Sequence, residues 1–379
     1  MEIVDSYFKK HIDKITFLEL KKDTVIGNGK YSLKKEIPLP IKTDSLISGI
    51  KEGILQDEIN LAFIIDGIIY LIGIDPDFPY IKEYKEILYG INDQIENYIF
   101  YHGIKAVDKK DNDTAAIYFR ALKCLNPKNV DGIFNYALTL EEIGKKFFDM
   151  KMEDKGMDFI KASTKELESI LDLDDRYPLA YYKLGYHYKF YGNFLKAKLI
   201  WSQYLTLDKD ELRLQEIREE LDIIEDDAEM EKGLIYLNRN EFKKAIDIFQ
   251  NLMKKYDKLW TLKYYLGVCY KATGNLVQAV ELFYDAIELN KNNSDVYNEL
   301  GICLVNIGEI EEAIDVFSEG INNAGEDYKL IFNRGLCYWQ LGKLKDAHDD
   351  ISRAYNLMPT DSNIKAQKER LDKLLNLSN

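Results

Sequence analysis

The sequence of 379 residues contains few prolines, few cysteines and no long uninterrupted hydrophobic run. The 7 prolines are as few as expected in a chain dominated by helices, because proline cannot continue a helix. The 4 cysteines fit a reduced, intracellular chain. Apolar residues make up 46% of the chain and charged residues 31%, which is typical of a globular protein. The length predicts two or three domains or an extended array.

An excess of basic residues is lacking as well, since the formal net charge is −14. An acidic surface disfavours nucleic-acid phosphates and anionic lipid headgroups, so we expect no nucleic-acid or membrane partner. The N-terminus has no basic segment followed by an apolar core, so no signal peptide is predicted. Residues 59–74 contain Asp66 and fall short of the roughly 20 apolar residues that a membrane span needs. We therefore expect a cytoplasmic protein with a buried helix at this position.

A repeated spacing of small residues is the main feature that is present. The small residues are Gly103, Ala137, Gly185, Gly233, Gly267, Gly301 and Gly335, and the last four are each 34 residues apart. Twelve residues after most of them stands an alanine: Ala115, Ala197, Ala245, Ala279, Ala313 and Ala347. Sixteen residues after them stands a large apolar residue: Phe119, Trp201, Phe249, Phe283, Phe317 and Ile351. Seven residues after them stands a turn residue: Gly144, Gly192, Asn240, Gly274, Gly308 and Gly342.

Each of these positions has a physical reason in a helix hairpin. Small residues allow two helices to approach closely, so we expect the glycines and alanines to face one another. The large apolar residue would then fill the space between one hairpin and the next. Glycine or asparagine ends the first helix in the left-handed conformation. A hairpin of this kind cannot bury its apolar face alone, so the units are predicted to stack on one another.

These landmarks resemble those of the tetratricopeptide repeat family, and Leu266–Asn290 carries its small, aromatic, glycine and alanine positions. The resemblance covers residues 96–379 in seven units. Ala121 falls one residue early in the first unit, the second unit lacks a clear alanine, and the family's early tryptophan is absent. The resemblance implies a mainly α fold, a right-handed α-α superhelix of about seven helix hairpins with capping helices. It also implies a non-enzymatic scaffold that binds other proteins.

Two long spacings interrupt the period and suggest how the array is divided. In the second unit the extra residues lengthen both arms by about two turns, and Gly156 is predicted to mark the tip. Residues 208–224 are predicted to form a separate helix with apolar Leu214, Leu221 and Ile224. A matching C-terminal helix carries Ile364, Leu371 and Leu374. We predict arrays over residues 96–225 and 226–379, each closed by such a helix. One continuous superhelix is the alternative.

Residues 1–95 do not repeat and are predicted to form a small α+β domain. The segments 15–20, 23–33 and 35–41 have the composition of short strands, and Asn28-Gly29 predicts a tight hairpin turn. Helices are predicted at 44–53, 57–73 and 80–90.

Candidate chemical sites in the sequence have simpler explanations. Cys269, Cys303 and Cys337 recur at one position of the repeat, and neighbouring units stand on the order of 8–10 Å apart, too far for a disulfide. We expect them to fill the interior. The segment Gly27–Lys30 lacks the spacing of a phosphate-binding loop. The 4 histidines show no metal-ligand spacing. No metal, cofactor or catalytic residue is predicted.

The first helices of the hairpins are predicted to line a concave groove. Residues three before, one after and four after each small residue share one face. The groove residues chosen on this basis are Tyr182, Tyr186, Met230, Leu234, Tyr264, Val268, Lys271, Asn298, Ile302, Phe332, Leu336 and Trp339. Some relatives clamp a C-terminal carboxylate with lysine and asparagine, but this chain has Tyr264 and Val268 at those positions, and Lys329 alone matches the clamp.

The groove therefore predicts a scaffold that binds a peptide or helix through apolar and aromatic contacts. The alternative is a peptide-responsive regulator whose repeats sense a ligand and whose N-terminal domain is the output. An enzyme within residues 1–95 is a further alternative. Whether the chain itself covers the groove, and whether it forms a homo-oligomer, stay open. The Ile-, Lys-, Asn- and Tyr-rich composition suggests a bacterial source.

Overall fold

The computed structural model describes residues 2–19, 25–26, 31–32, 36–51 and 61–375. The chain divides into two compact units. Unit 1 comprises Met1–Gly192 and Lys196–Leu221, and unit 2 comprises Asn193–Leu195 and Asp222–Asn379.

The N-terminal part of unit 1 combines short strands and helices. Its elements are α1 (Glu2–Lys9), β1 (Ile15–Glu19), β2 (Val25–Ile26), β3 (Tyr31–Ser32), β4 (Pro38–Lys42), α2 (Thr43–Lys51), α3 (Leu61–Ile74) and α4 (Ile81–Ile91). β1 pairs antiparallel with β4, and β2 pairs antiparallel with β3. The α+β character is thus confirmed. α1 was not predicted, and the predicted turn at Asn28-Gly29 lies outside the described residues.

The rest of the chain consists of successive helix hairpins. Those beginning in unit 1 are α5 (Ile95–Asp108) with α6 (Asn112–Leu125), α7 (Val130–Asp149) with α8 (Glu153–Leu173), and α9 (Pro178–Phe190) with α10 (Phe194–Leu207). They are followed by α11 (Glu211–Asn238) with α12 (Phe242–Met253), α13 (Trp260–Ala272) with α14 (Leu276–Leu289), α15 (Ser294–Ile307) with α16 (Ile310–Ala324), α17 (Tyr328–Gln340) with α18 (Leu344–Leu357), and α19 (Ser362–Leu374). The predicted fold class, a mainly α hairpin array after a small α+β part, is confirmed.

The glycines at the hairpin crossings lie closest to the large side chains sixteen residues later, and a Cβ atom added to Gly335 would also lie 3.4 Å from the carbonyl oxygen of Ala347. A Cβ atom added to Gly103 would lie 2.6 Å from the ring of Phe119, and one added to Gly267 would lie 2.7 Å from the ring of Phe283. The alanines twelve residues after the small residues are fully buried as well. The missing glycine side chain therefore makes room for the aromatic ring of the same hairpin, which explains the spacing of sixteen.

The predicted turn residues take the left-handed conformation in five hairpins. They are Gly192, Asn240, Gly274, Gly308 and Gly342, with positive φ angles. The prediction for Gly144 was wrong, because this residue lies inside α7, where an added Cβ would lie 3.1 Å from the carbonyl oxygen of Gly156. Gly156 is not at the tip of the hairpin, since the chain turns at Lys151 (φ 60°) and Gly156 already belongs to α8. The two glycines instead permit close approach of α7 and α8.

The long second hairpin provides the surface on which α1 packs. α7 has 20 residues and α8 has 21, whereas the helices of the first hairpin have 14 each. The ring of Tyr7 in α1 lies edge-on to Phe147 and Phe159, at centroid distances of 5.8 and 5.1 Å. The Tyr7 hydroxyl donates to Asp113 at 2.6 Å. The extension therefore supports α1, which the periodicity of the sequence does not reveal.

The α+β part and the first two hairpins share one hydrophobic core. The core extends from Phe8 in α1, through α3 and α6, to Phe159 in α8. Gly73 of α3 lies directly against the backbone of Ile117 in α6. Arg120 of α6 donates to the carbonyl oxygens at the C-terminal end of α3, Gly73 at 3.2 Å and Ile74 at 3.4 Å. These cationic contacts satisfy the last carbonyls of α3 and complement its dipole.

The helices expected to close the arrays differ from the prediction in two respects. Residues 211–224 do not form a separate helix but are the first part of α11, which continues to Asn238. Residues 211–224 contain no glycine or proline that would end the helix before it reaches the next hairpin. α19 is present and buries Ile364 and Leu371, but Leu374 is 58% exposed. Its place on the apolar face was therefore predicted wrongly.

Candidate functional site

The first helices of unit 2 place ten of the predicted groove residues on neighbouring hairpins. α15 packs against both α13 and α17. We call the surface formed by these ten residues the first-helix face: Met230, Leu234, Tyr264, Val268, Lys271, Asn298, Ile302, Phe332, Leu336 and Trp339. All except Phe332 are partly buried. Each of the nine therefore packs on its hairpin and still presents some surface to solvent.

Phe332 is only 8% exposed and belongs to the core of the last hairpin with Ile331 and Ile351. Its side chain therefore stabilises the hairpin and offers little surface to a partner. Trp339 lies under Arg370 of α19, whose guanidinium is 5.5 Å from the ring centroid. This cation–π contact holds the indole in place and covers part of it.

Polar side chains in the middle of the first-helix face pair with one another. Lys271 of α13 forms an ion pair with Glu299 of α15. Asn333 of α17 donates its amide to the Asn298 oxygen at 2.8 Å. Glu299 and Asn333 were not among the predicted groove residues, because the prediction used only three positions of each first helix. Their pairing fixes the polar groups that border the apolar residues.

Tyr264 is the aromatic residue at the centre of the first-helix face. Its ring lies 6.1 Å from Phe283 and 6.4 Å from Trp260, measured between centroids. Burial, followed by the nearby carboxylates of Glu299 and Asp295, raises the pKa of Tyr264 to about 12. The hydroxyl is therefore neutral at physiological pH and can donate a hydrogen bond.

The two groove residues of unit 1 are contacted by the chain itself. The hydroxyls of Tyr182 and Tyr186 both donate to Glu216 of α11, the former at 2.9 Å. Lys189, one turn further along α9, forms an ion pair with Glu220. The first part of α11 therefore contacts both tyrosine hydroxyls, and both side chains stay partly exposed.

Ser352, His348 and Asp372 resemble a catalytic triad only in composition. Asp372 lies 2.9 Å and Ser352 3.5 Å from the same nitrogen, Nε2 of His348. A triad requires the nucleophile and the orienting carboxylate on opposite nitrogens of the imidazole base. This cluster therefore lacks the geometry of a catalytic triad.

A second histidine cluster has the expected connectivity but is inaccessible. The Thr164 hydroxyl lies 2.8 Å from Nδ1 of His187, and Glu141 lies 3.5 Å from Nε2. All three side chains are buried, and the Thr164 hydroxyl also donates to the Ile160 carbonyl at 2.8 Å. A substrate has no route to this hydroxyl, so the cluster acts as an internal hydrogen-bond network.

The repeated cysteines fill the interior, as predicted. Cys269, Cys303 and Cys337 are buried and unpaired, and burial raises the pKa of each thiol to about 11. Within the described ranges, no three His, Cys, Asp or Glu side chains converge to hold a metal ion. Over the same residues, none of the helices has the length and apolar content needed to cross a membrane.

Comparisons with known proteins identify the repeats. Family models for the tetratricopeptide repeat match residues 230–294 and 271–333. One similar solved structure is YrrB, a tetratricopeptide repeat protein with an unusual peptide-binding site. It has 18% identity and a TM-score of 0.38, and the match covers 54% of this chain and 97% of YrrB.

Two other solved structures of tetratricopeptide repeat proteins are similar. One from Parabacteroides merdae has 15% identity and a TM-score of 0.33, covering 73% of this chain and 98% of its own. One from Thermus thermophilus has 13% identity and a TM-score of 0.32, covering 62% of this chain and 98% of its own. Comparison with curated proteins finds no matching sequence. Residues 230–333, from α11 to α17, therefore carry tetratricopeptide repeats, and the hairpins of unit 1 show a similar spacing of small and large residues.

Proposed function

We propose that unit 2 binds an extended or helical segment of a partner protein on its first-helix face. Tetratricopeptide repeats mediate protein–protein interactions, and the proteins that contain them are typically non-enzymatic scaffolds. The observation that carries the proposal is the partial burial of Val268, Ile302 and Leu336, one on each of three successive hairpins. A contiguous apolar patch is typical of a binding surface, and these three side chains lie on first helices that contact one another.

The polar groups of the same face suit a peptide main chain. Asn298 and Asn333 carry amide donors and acceptors that match those of a peptide bond. Lys271 and Glu299 neutralise one another, so the face has no strong charge preference at its centre. The partner segment would therefore present apolar side chains and leave main-chain groups near the two asparagines, in contrast to a carboxylate-terminated tail.

A pair of valine substitutions tests this proposal. Peptides that bind the full chain would be selected from a displayed random library, and their affinities measured by fluorescence anisotropy. Val268→Lys places an ammonium group on the first-helix face and should weaken binding by roughly tenfold or more. Val277→Lys is the matched control, because Val277 is 66% exposed on α14. Equal affinities for the two variants would contradict the proposal, as would failure to select any peptide.

The regulator hypothesis has less support. An N-terminal output domain would have to change its position or state when the repeats bind a ligand. The core shared by α1, α3, α6 and α8 fixes the α+β part to the first two hairpins. The interaction scaffold is therefore the function that we propose.

A further inference from the structure

A cavity of about 180 Å³ lies inside unit 1. One part of its wall is formed by Val4 and Asp5 of α1, and the other parts come from α6, α7, α8 and the segment that follows α3. Most of the wall surface is apolar, although charged side chains also reach it. Because the wall is assembled from five separate segments, no motif in the sequence indicates the cavity.

The charged side chains of the wall are engaged with one another or with the rest of the chain. Arg120 of α6 forms an ion pair with Asp5 of α1. Lys123 of α6 donates to both oxygens of Glu166 in α8, at 2.6 and 2.5 Å. Lys165 also interacts with another group of the protein. None of these charges is free to pair with a ligand, so the wall favours neither an anion nor a cation.

The other polar side chains of the wall are uncharged at neutral pH. Burial raises the pKa of Tyr136 above its usual range, and it also raises the pKa of the Cys124 thiol. Val4, Leu140 and Ala162 add hydrocarbon surface. A charged ligand would lose its hydration here without gaining a partner, whereas an apolar ligand loses nothing of that kind. The wall is therefore suited to an uncharged, mainly apolar molecule.

The size of the cavity limits the ligand further. An apolar cavity of about 150 Å³ in another protein accepts benzene, so this one has room for a ring of that size with a small substituent. Water is a poor occupant, because an ordered water molecule needs about two to four polar partners, and the charged groups here already bind one another. Displacing poorly held water by an apolar group gains affinity. We propose that the cavity binds an uncharged, apolar molecule of the size of a monosubstituted benzene.

Three probes that share one ring test the proposal by isothermal titration of the full chain: toluene, benzoate and benzylammonium. Toluene should bind more tightly than either charged probe by roughly tenfold or more, because only toluene enters without losing the hydration of a charge. This comparison uses the unsubstituted chain, so it decides the proposal independently of any variant.

A pair of alanine substitutions locates the binding site. Ala162→Phe should abolish toluene binding, because the added ring fills the cavity. Ala272→Phe is the matched control, since Ala272 is exposed at the end of α13 in unit 2, and it should leave toluene binding unchanged. Unfolding midpoints of both variants would show that each remains folded.

The cysteines give a second measure of location. Cys124 lines the cavity and is partly exposed, whereas Cys269, Cys303 and Cys337 are buried in unit 2. Saturating toluene should slow the labelling of Cys124 by methyl methanethiosulfonate and leave the labelling of the other three unchanged. The proposal is overturned if toluene does not bind, if the three probes bind equally, if folded Ala162→Phe binds toluene as tightly as the unsubstituted chain does, or if the labelling of Cys124 is not slowed.

Discussion

At the scale of single residues, Glu141 shows how unit 1 accommodates a buried charge. Its carboxylate accepts from Lys183 at 2.7 Å and Lys145 at 2.8 Å, with Nε2 of His187 at 3.5 Å. Burial alone would raise the pKa of this carboxyl, but the hydrogen bonds from His187, Lys145 and Lys183 outweigh it. The pKa of Glu141 is therefore well below its usual range, and the ionised form is the one that stabilises the contact between α7 and α9.

Glu141→Gln should destabilise the chain in a pH-dependent manner. A carboxyl whose pKa is lower in the folded chain stabilises it fully above the ordinary value of 4.5, and the stabilisation is lost as the pH falls. At neutral pH we expect a loss on the order of 2–4 kcal/mol in the free energy of unfolding, because Lys183 loses its buried partner. Urea unfolding followed by circular dichroism, at neutral pH and below pH 4.5, measures this difference.

Glu142→Gln is the control for this measurement. The Glu142 side chain is half exposed and pairs with Lys145 at 2.8 Å, so its loss should cost less than about 1 kcal/mol. A Glu141→Gln variant with the same deficit at both pH values would show that shape, and not charge, accounts for the effect.

At the scale of secondary-structure elements, α19 closes the last hairpin through only two buried side chains. Ile364 and Leu371 pack into the core of α17 and α18, whereas Leu374 points to solvent. Leu371→Ala should therefore lower the free energy of unfolding by about 2–5 kcal/mol, since it leaves a cavity. Leu374→Ala, in the same helix, should change it by no more than about 0.5 kcal/mol. Equal losses of unfolding free energy for the two variants, measured by thermal or urea unfolding, would contradict this assignment.

The hairpins could be predicted because the contact that defines them is local in the sequence. A glycine and the ring sixteen residues later belong to one hairpin, so their spacing is visible without the fold. α1 could not be predicted, because its eight residues are stabilised by Phe147 and Phe159, which are far away in the sequence. Helical periodicity also places Leu374 on the same face as Leu371, and it gives no indication that the Leu374 side chain is exposed.

At the scale of the whole molecule, the α+β part lies in unit 1 and shares its hydrophobic core with the first two hairpins. Phe8 of α1 is fully buried, and its ring lies 5.3 Å from the guanidinium of Arg120 in α6. A core residue of this kind should affect the stability of both parts at once.

Phe8→Ala should reduce protection from hydrogen exchange jointly in α1, α3 and α6, with a loss of about 3–5 kcal/mol. Phe317→Ala is the matched control, because Phe317 is equally buried but belongs to α16 in unit 2. It should reduce protection in α15 to α17 and leave α1 and α3 unchanged. Loss of protection confined to α1 after Phe8→Ala would contradict a shared core.

The two additional turns of the second hairpin bear on how such arrays diverge. Seven residues complete almost two helical turns, with a drift of only about 20°. An insertion of that length in both arms therefore keeps every original side chain facing its original neighbour, while α7 and α8 extend further than the helices of the first hairpin. Insertions of about two whole turns therefore leave the side-chain packing of the existing repeats nearly unchanged. Here the longer helices provide the aromatic surface of Phe147 and Phe159 on which α1 packs.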